Sequence, residues 1–208
     1  QPTGEHELAS LENEVREIEK RTSKEFRFIA TKVENWNDDL SPWKAPAVFG
    51  NQDFGNGAAD FLRNITELCS GASKTLENIV ALCADKNRKY YIGGYSLAGL
   101  FALWAACQTD IFSGVAAASP SVWFPGFIDY MKTYKMKSQN VYLSLGDREE
   151  KTRNPVMAQI GNCIKEEYRC LLENGINCIL EWNKGNHFKE ADIRTAKAFA
   201  WILNNDSS

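Results

Sequence analysis

Residues 97–107, LAGLFALWAAC, are apolar on every side, and they follow closely on KYYIGG, 89–94, which reads as a strand. A helix without a polar face has to be enclosed, so this segment demands a sheet to bury it. Between strand and helix stands Gly94-Tyr95-Ser96-Leu97-Ala98, with Gly99 next. The string approximates G-x-S-x-G, the sharp strand-to-helix turn that lifts a serine above the sheet. Small residues two before and two after the serine keep that turn free of collisions, and here the second is Ala98 rather than glycine. Two readings of Ser96 are open: a nucleophile, or a serine that caps the buried helix.

The rest of the chain supplies the sheet. FRFIATKVE (26–34), GVAAAS (114–119), VYLSLG (141–146) and CILEW (178–182) read as further strands, five with KYYIGG. Helices are expected over 7–20, with Leu8, Leu11, Val15 and Ile18 on one face, and over 58–69 and 73–84. Another is expected over 155–173, where Met157, Ile160, Ile164, Tyr168 and Leu171 share a face until Asn174-Gly175 ends it. The last runs from about Lys189 to Leu203. Helices alternating with doubly buried strands imply a mostly parallel sheet in a three-layer α/β/α sandwich. A chain of 208 residues suits a single domain over 1–208.

A serine nucleophile needs a base, and the chain has two histidines. His187 lies in NKGNHF, a loop between the last strand and the last helix. His6 lies near a helix start and reads as a surface residue. The base in turn needs a carboxylate to fix its tautomer and to stabilise the imidazolium. Asp147 follows VYLSLG directly, at the carboxyl end of a strand, where open α/β sheets gather their sites. Glu149 and Glu150 stand beside it as alternatives. The order Ser96, Asp147, His187 is the Ser…Asp/Glu…His order of α/β-hydrolases. Two N–H donors complete an oxyanion hole: Leu97, just after the serine, and Thr3 or Gly4 in QPTGEHE before the first helix. The strand leading into that loop is expected upstream of Gln1, so the N-terminal strands of the architecture are expected to be absent from this chain.

IGGYSLAGLFALW, ASPSVWF, YLSLGDREEKTRNPVM and EWNKGNHFKEADIRTAKAFAWIL resemble the esterase D and enterochelin-esterase branch of the α/β-hydrolases, in particular bacterial predicted hydrolases of that superfamily. The resemblance runs over nearly the whole chain. It implies an α/β-hydrolase fold and serine-dependent ester hydrolysis, with Ser96 as nucleophile and His187 as base. It implies Asp147 as the acid, although some siderophore esterases of the branch work with a Ser-His dyad. It also puts QPTGEHE at the oxyanion loop. The branch spans siderophore trilactone esterases, S-formylglutathione hydrolases, feruloyl and acetyl esterases and mycolyltransferases, so it leaves the ester unnamed.

The expected reaction is cleavage of a small-molecule carboxylic ester through an acyl-enzyme. The rivals are an acyltransferase on the same residues and an inactive binding protein on a hydrolase fold. Trp36 and Trp43, in a long loop that also holds Phe49, and Trp123 in SPSVWF are candidate walls of the substrate pocket. Two distant histidines and six scattered cysteines offer no metal site, and no cofactor is expected. A net charge of −3 with dispersed Lys and Arg argues against a nucleic-acid partner. No apolar run is long enough to span a membrane. Cysteines in apolar surroundings, without a C-x-x-C pair, point to reduced thiols and a cytoplasmic setting.

Overall fold

The computed structural model describes residues 1–48, 50–55 and 71–206. The helix expected over 58–69, and Phe49, lie outside the described residues. The first elements are β1 (Pro2–Thr3), a 3-10 turn over Glu5–Ser10, α1 (Leu11–Glu19), β2 (Thr31–Lys32), α2 (Trp36–Asp39) and α3 (Gly71–Ala81). Next come β3 (Tyr90–Tyr95), α4 (Leu97–Gln108), β4 (Phe112–Ala118), α5 (Phe127–Thr133) and β5 (Asn140–Gly146). The chain closes with α6 (Ile160–Glu173), β6 (Asn177–Asn183) and α7 (Ala191–Asn205).

Strands β3, β4, β5 and β6 form a parallel sheet in that order. Side chains alternate across it, as a pleated strand requires. Val115, Ala117, Val141, Leu143 and Leu145 face one core, which α4, α5 and α6 cover. Ala116, Ala118 and Tyr142 face the other, beneath α1 and α7. The result is a three-layer α/β/α sandwich. Every residue of α4 from Leu97 to Cys107 is buried, as its all-apolar surface demands. Each of its large side chains adds about 1.5–3 kcal/mol through burial. Because all strands of this sheet run parallel, their carboxyl ends meet on one edge, and Ser96, Glu149 and His187 lie on the loops there.

Two expectations change. FRFIATKVE is strand only at Thr31–Lys32, where Pro2–Thr3 pairs with it in parallel. Its aromatics still pack, with Phe28 edge-on to Phe199 at 6.0 Å. The apolar pattern thus reports burial, whereas a ladder needs a partner backbone. In the first helical stretch, Leu8 falls in the 3-10 turn and is 45% exposed, while Glu14 of α1 is buried at 3%.

Glu167 on α6 is fully buried, and neither carboxylate oxygen has a hydrogen-bond partner. Burial pushes its carboxyl up to about 8. The folded state therefore keeps a proton that the unfolded chain releases at ordinary carboxylate pH. Stability falls as pH rises between those two values and levels off above about 8. Glu167→Met is expected to raise Tm, with a gain on the order of a few kcal/mol near pH 8 and far less at pH 5. Thermal melts at the two pH values check this, and an equal gain at both would refute it.

Candidate active site

The turn between β3 and α4 holds Ser96 at φ 56 and ψ −119, a left-handed backbone that side chains rarely adopt. Such a residue costs about 1–3 kcal/mol and persists only when its surroundings over-determine it. Here they do. The Ser96 N–H donates to the Ala118 carbonyl at 3.1 Å, and its own carbonyl accepts the N–H groups of Leu100 at 3.1 Å and Ser121 at 3.0 Å. Gly94 has to be glycine, since a Cβ there would stand 2.6 Å from the Cβ of Ala98. The missing Cβ at Gly94 leaves room for the Ala98 methyl two residues after the serine. Ser96 does not cap α4 with its side chain. Its Oγ lies 3.0 Å from His187 Nε2 and 3.2 Å from Ser121 Oγ.

His187 comes from the loop between β6 and α7. Its Nδ1 lies 2.7 Å from Glu149 Oε2. Its carbonyl accepts the Tyr95 hydroxyl at 2.6 Å, which ties the histidine loop to the strand that precedes the serine. Burial pushes the Tyr95 phenol up to about 12, so it stays a neutral donor.

The carboxylate on the imidazole is that of Glu149, not Asp147, which corrects the expectation drawn from the strand end. Asp147 is exposed, and its Oδ1 accepts the Gly185 N–H at 2.8 Å. Glu150 is exposed as well. The physical cause is a turn. The Glu149 N–H donates to the Gly146 carbonyl at 3.1 Å, and the Gly146 N–H donates to Glu149 Oε1 at 2.7 Å. The chain reverses, so the third residue past β5 folds back over the strand end while the first points outward. Glu149 Oε1 also accepts the Ser119 hydroxyl at 2.8 Å and Arg194 Nη1 at 2.9 Å. Burial on its own would raise this carboxyl, but hydrogen bonds led by that from His187 outweigh it and hold it below its ordinary value.

Of the expected oxyanion donors, Leu97 opens α4, where N–H groups have no intrahelical partner. Thr3 is fully buried in the β1–β2 ladder. The Gly4 N–H is committed to Glu7 Oε2 at 3.0 Å. His6 and Trp36 stand edge-to-face beside Gly4, with ring centroids 4.8 Å apart. Trp36, expected in a loop as a pocket wall, instead opens the short helix α2 and stands beside Gly4. Trp43 and Trp123 do not form an open wall: each is 8% exposed within the core. The Trp43 indole donates to the Pro125 carbonyl at 2.9 Å and stacks near Phe127, and Trp123 packs on Phe54. A sequence cannot separate a pocket wall from a core when both are aromatic. A cleft of about 970 Å³ lies at the other end of the sheet, between Phe26, Phe28, Tyr90, Phe112 and Phe199, away from Ser96.

Four polar residues of the cluster went unread in the sequence: Tyr95, Ser119, Ser121 and Arg194. Arg194 left a signal, a lone arginine just ahead of the apolar run Ala196, Ala198, Phe199, Ala200. Among the described residues no group of three or more His, Cys, Asp or Glu side chains could hold a metal ion. No described helix is long and apolar enough to cross a membrane.

No family model matches the chain, and no curated protein matches it. Solved structures do. A siderophore hydrolase, EstA from Aspergillus nidulans, is similar over 99% of this chain and 82% of its own, at TM-score 0.61 and 21% identity. An IroE-like serine hydrolase from Shewanella oneidensis is similar over 84% of this chain and 58% of its own, at TM-score 0.61 and 15% identity. The enterobactin esterase FES from Shigella flexneri is similar over 64% of this chain and 37% of its own, at TM-score 0.50 and 18% identity. The chain therefore shares the fold of these hydrolases, and it spans less than two thirds of the length of the latter two.

Proposed function

We propose that this chain is a serine hydrolase that cleaves small-molecule carboxylic esters, with Ser96 as nucleophile, His187 as base and Glu149 as the orienting acid. The observation that carries this reading is the continuous contact from Ser96 Oγ to His187 Nε2 at 3.0 Å and from His187 Nδ1 to Glu149 Oε2 at 2.7 Å, set on a strained turn. The hydrolases whose fold it shares support it.

In this reading His187 takes the Ser96 proton as Oγ attacks the ester carbonyl, and a tetrahedral oxyanion forms. Glu149 fixes the N–H on Nδ1, which leaves Nε2 free to accept, and it stabilises the imidazolium that results. The Leu97 N–H faces the oxyanion, with the Gly4 loop as the second donor side. Collapse expels the alcohol, which takes the proton from His187. Water, deprotonated by the same imidazole, then releases the acid from Ser96. Glu7 holds the Gly4 N–H in the resting structure, so that donor has to be released or shared when substrate binds.

The test is capture by a fluorophosphonate, read by mass spectrometry, together with turnover of p-nitrophenyl esters from acetate to octanoate. The expected adduct sits on Ser96, and the chain-length profile reports the size of the acyl site. A folded protein that gives neither an adduct nor turnover would sink the proposal.

A further inference from the structure

A buried cation stands behind the three groups that carry the proposed chemistry. Arg194, in the first turn of α7, is 1% exposed. Its Nη1 donates to Glu149 Oε1 at 2.9 Å, to the Tyr95 hydroxyl at 3.1 Å and to Ser119 Oγ at 3.3 Å. Its Nη2 donates to the Asn186 carbonyl at 3.1 Å, one residue before His187. Gly146 makes room for this approach, since a Cβ there would lie 2.9 Å from Glu149 Oε1 and 3.0 Å from Arg194 Nη1.

From this geometry we infer that Arg194 is a positioning residue for the Ser96–His187–Glu149 site: its fork aims Glu149 and the histidine loop at each other, and its charge keeps His187 available as a base. The inference rests on the proposed function, which it deepens. Two physical effects are involved. First, Arg194 and Ser119 occupy Oε1, so Oε2 alone is turned to the imidazole. The same guanidinium holds the carbonyl next to His187, so one rigid plane sets both ends of the 2.7 Å contact. Second, a carboxylate alone beside an imidazole favours the imidazolium before any substrate arrives, which blocks the base. A buried guanidinium on the far oxygen offsets that charge.

Other charged and titratable groups near His187 do not take this part. Tyr95 from β3 is a neutral donor to the His187 carbonyl. Asp147, from the loop after β5, is exposed and bound to the Gly185 N–H. Lys184, Lys189 and Glu190, on the histidine's own loop, are exposed to solvent screening. Arg194 and Glu149 are the oppositely charged pair buried against it.

The experiment compares wild type, Arg194→Met and Arg194→Lys as rate–pH profiles on p-nitrophenyl acetate. Arg194→Met is expected to lower kcat by about 10–100-fold at nearly constant KM and to move the acid limb to higher pH. Lysine keeps the charge but not the fork, so Arg194→Lys is expected to hold the acid limb in place with an intermediate kcat. An unmoved limb with unchanged kcat in Arg194→Met overturns the inference, as does a lysine variant that matches methionine in both readouts. Should Arg194→Met fail to fold, Arg194→Lys decides the positioning role: fluorophosphonate capture of Ser96 slows about 10-fold, and capture at the wild-type rate overturns it. If wild type itself neither turns over ester nor captures the probe, the proposed function fails separately. The ring signals of His187, assigned against His6→Gln, then still report whether protonation moves to higher pH without Arg194.

Discussion

Ser96→Ala is expected to lower kcat for p-nitrophenyl acetate by roughly 10⁶-fold, the scale of loss when a triad serine is removed. In the proposed mechanism Ser96 Oγ is the group that His187 Nε2 contacts, and the neighbouring hydroxyl is poorly placed to replace it. Ser121 Oγ lies 3.2 Å from Ser96 Oγ, but Ser121 is buried at 2% and sits on the loop after β4 rather than on the elbow. Fold and binding survive, because the elbow is held by backbone hydrogen bonds, from the Ser96 N–H to the Ala118 carbonyl and from the Ser121 N–H to the Ser96 carbonyl, that alanine keeps. A companion variant separates chemistry from stability. Ser96→Gly is equally inactive, yet glycine adopts φ 56 without strain, so its Tm is expected to exceed that of Ser96→Ala. Steady-state kinetics and thermal melts of the two variants check both statements. An alanine variant with more than a hundredth of wild-type activity would point to a different nucleophile.

Glu149→Gln is expected to lower kcat by roughly 10³–10⁴-fold, because an amide neither fixes the Nδ1–H tautomer nor stabilises the imidazolium. Asp147→Asn is expected to leave the rate close to wild type. Its amide oxygen still accepts the Gly185 N–H, and it has no contact with the imidazole. Glu149→Gln also leaves Arg194 without its charge partner, and breaking a buried pair costs about 3–5 kcal/mol. Rates therefore have to be measured on protein shown to be folded at the assay temperature. Paired kinetics on the two variants decide the assignment. A severe loss in Asp147→Asn with activity retained in Glu149→Gln would return the acid to the strand end, and losses in neither would leave a Ser-His dyad.

The contrast between Asp147 and Glu149 shows where reading from sequence stops. The strand VYLSLG and the acidic run after it are visible, and so is the rule that sites gather at carboxyl ends. Which of three neighbouring carboxylates turns inward depends on two hydrogen bonds at Gly146, and no residue pattern in DREEKTRN encodes them. The same limit separates Trp36 from Trp43 and Trp123: all three are aromatic, but only packing decides that two of them are core. FRFIATKVE shows a third form of it, since Phe26 and Phe28 pack half-buried against the core and Val33 is buried although the ladder extends over two residues.

Local patterning along the chain sets the frame. An all-apolar helix behind a Gly-x-Ser turn requires a sheet to enclose it. Alternating helices and doubly buried strands make that sheet parallel, and a parallel sheet collects its loops on one edge. These are local, periodic signals, and periodicity survives in one dimension. Folding in three dimensions sets the contacts among residues far apart in the chain: Ser96 with His187, His187 with Glu149, and Glu149 and the histidine loop with Arg194. Each depends on a bond of about 3 Å between side chains from different elements. Such distances follow from how strands register and turns reverse, which a pattern of residue types leaves open.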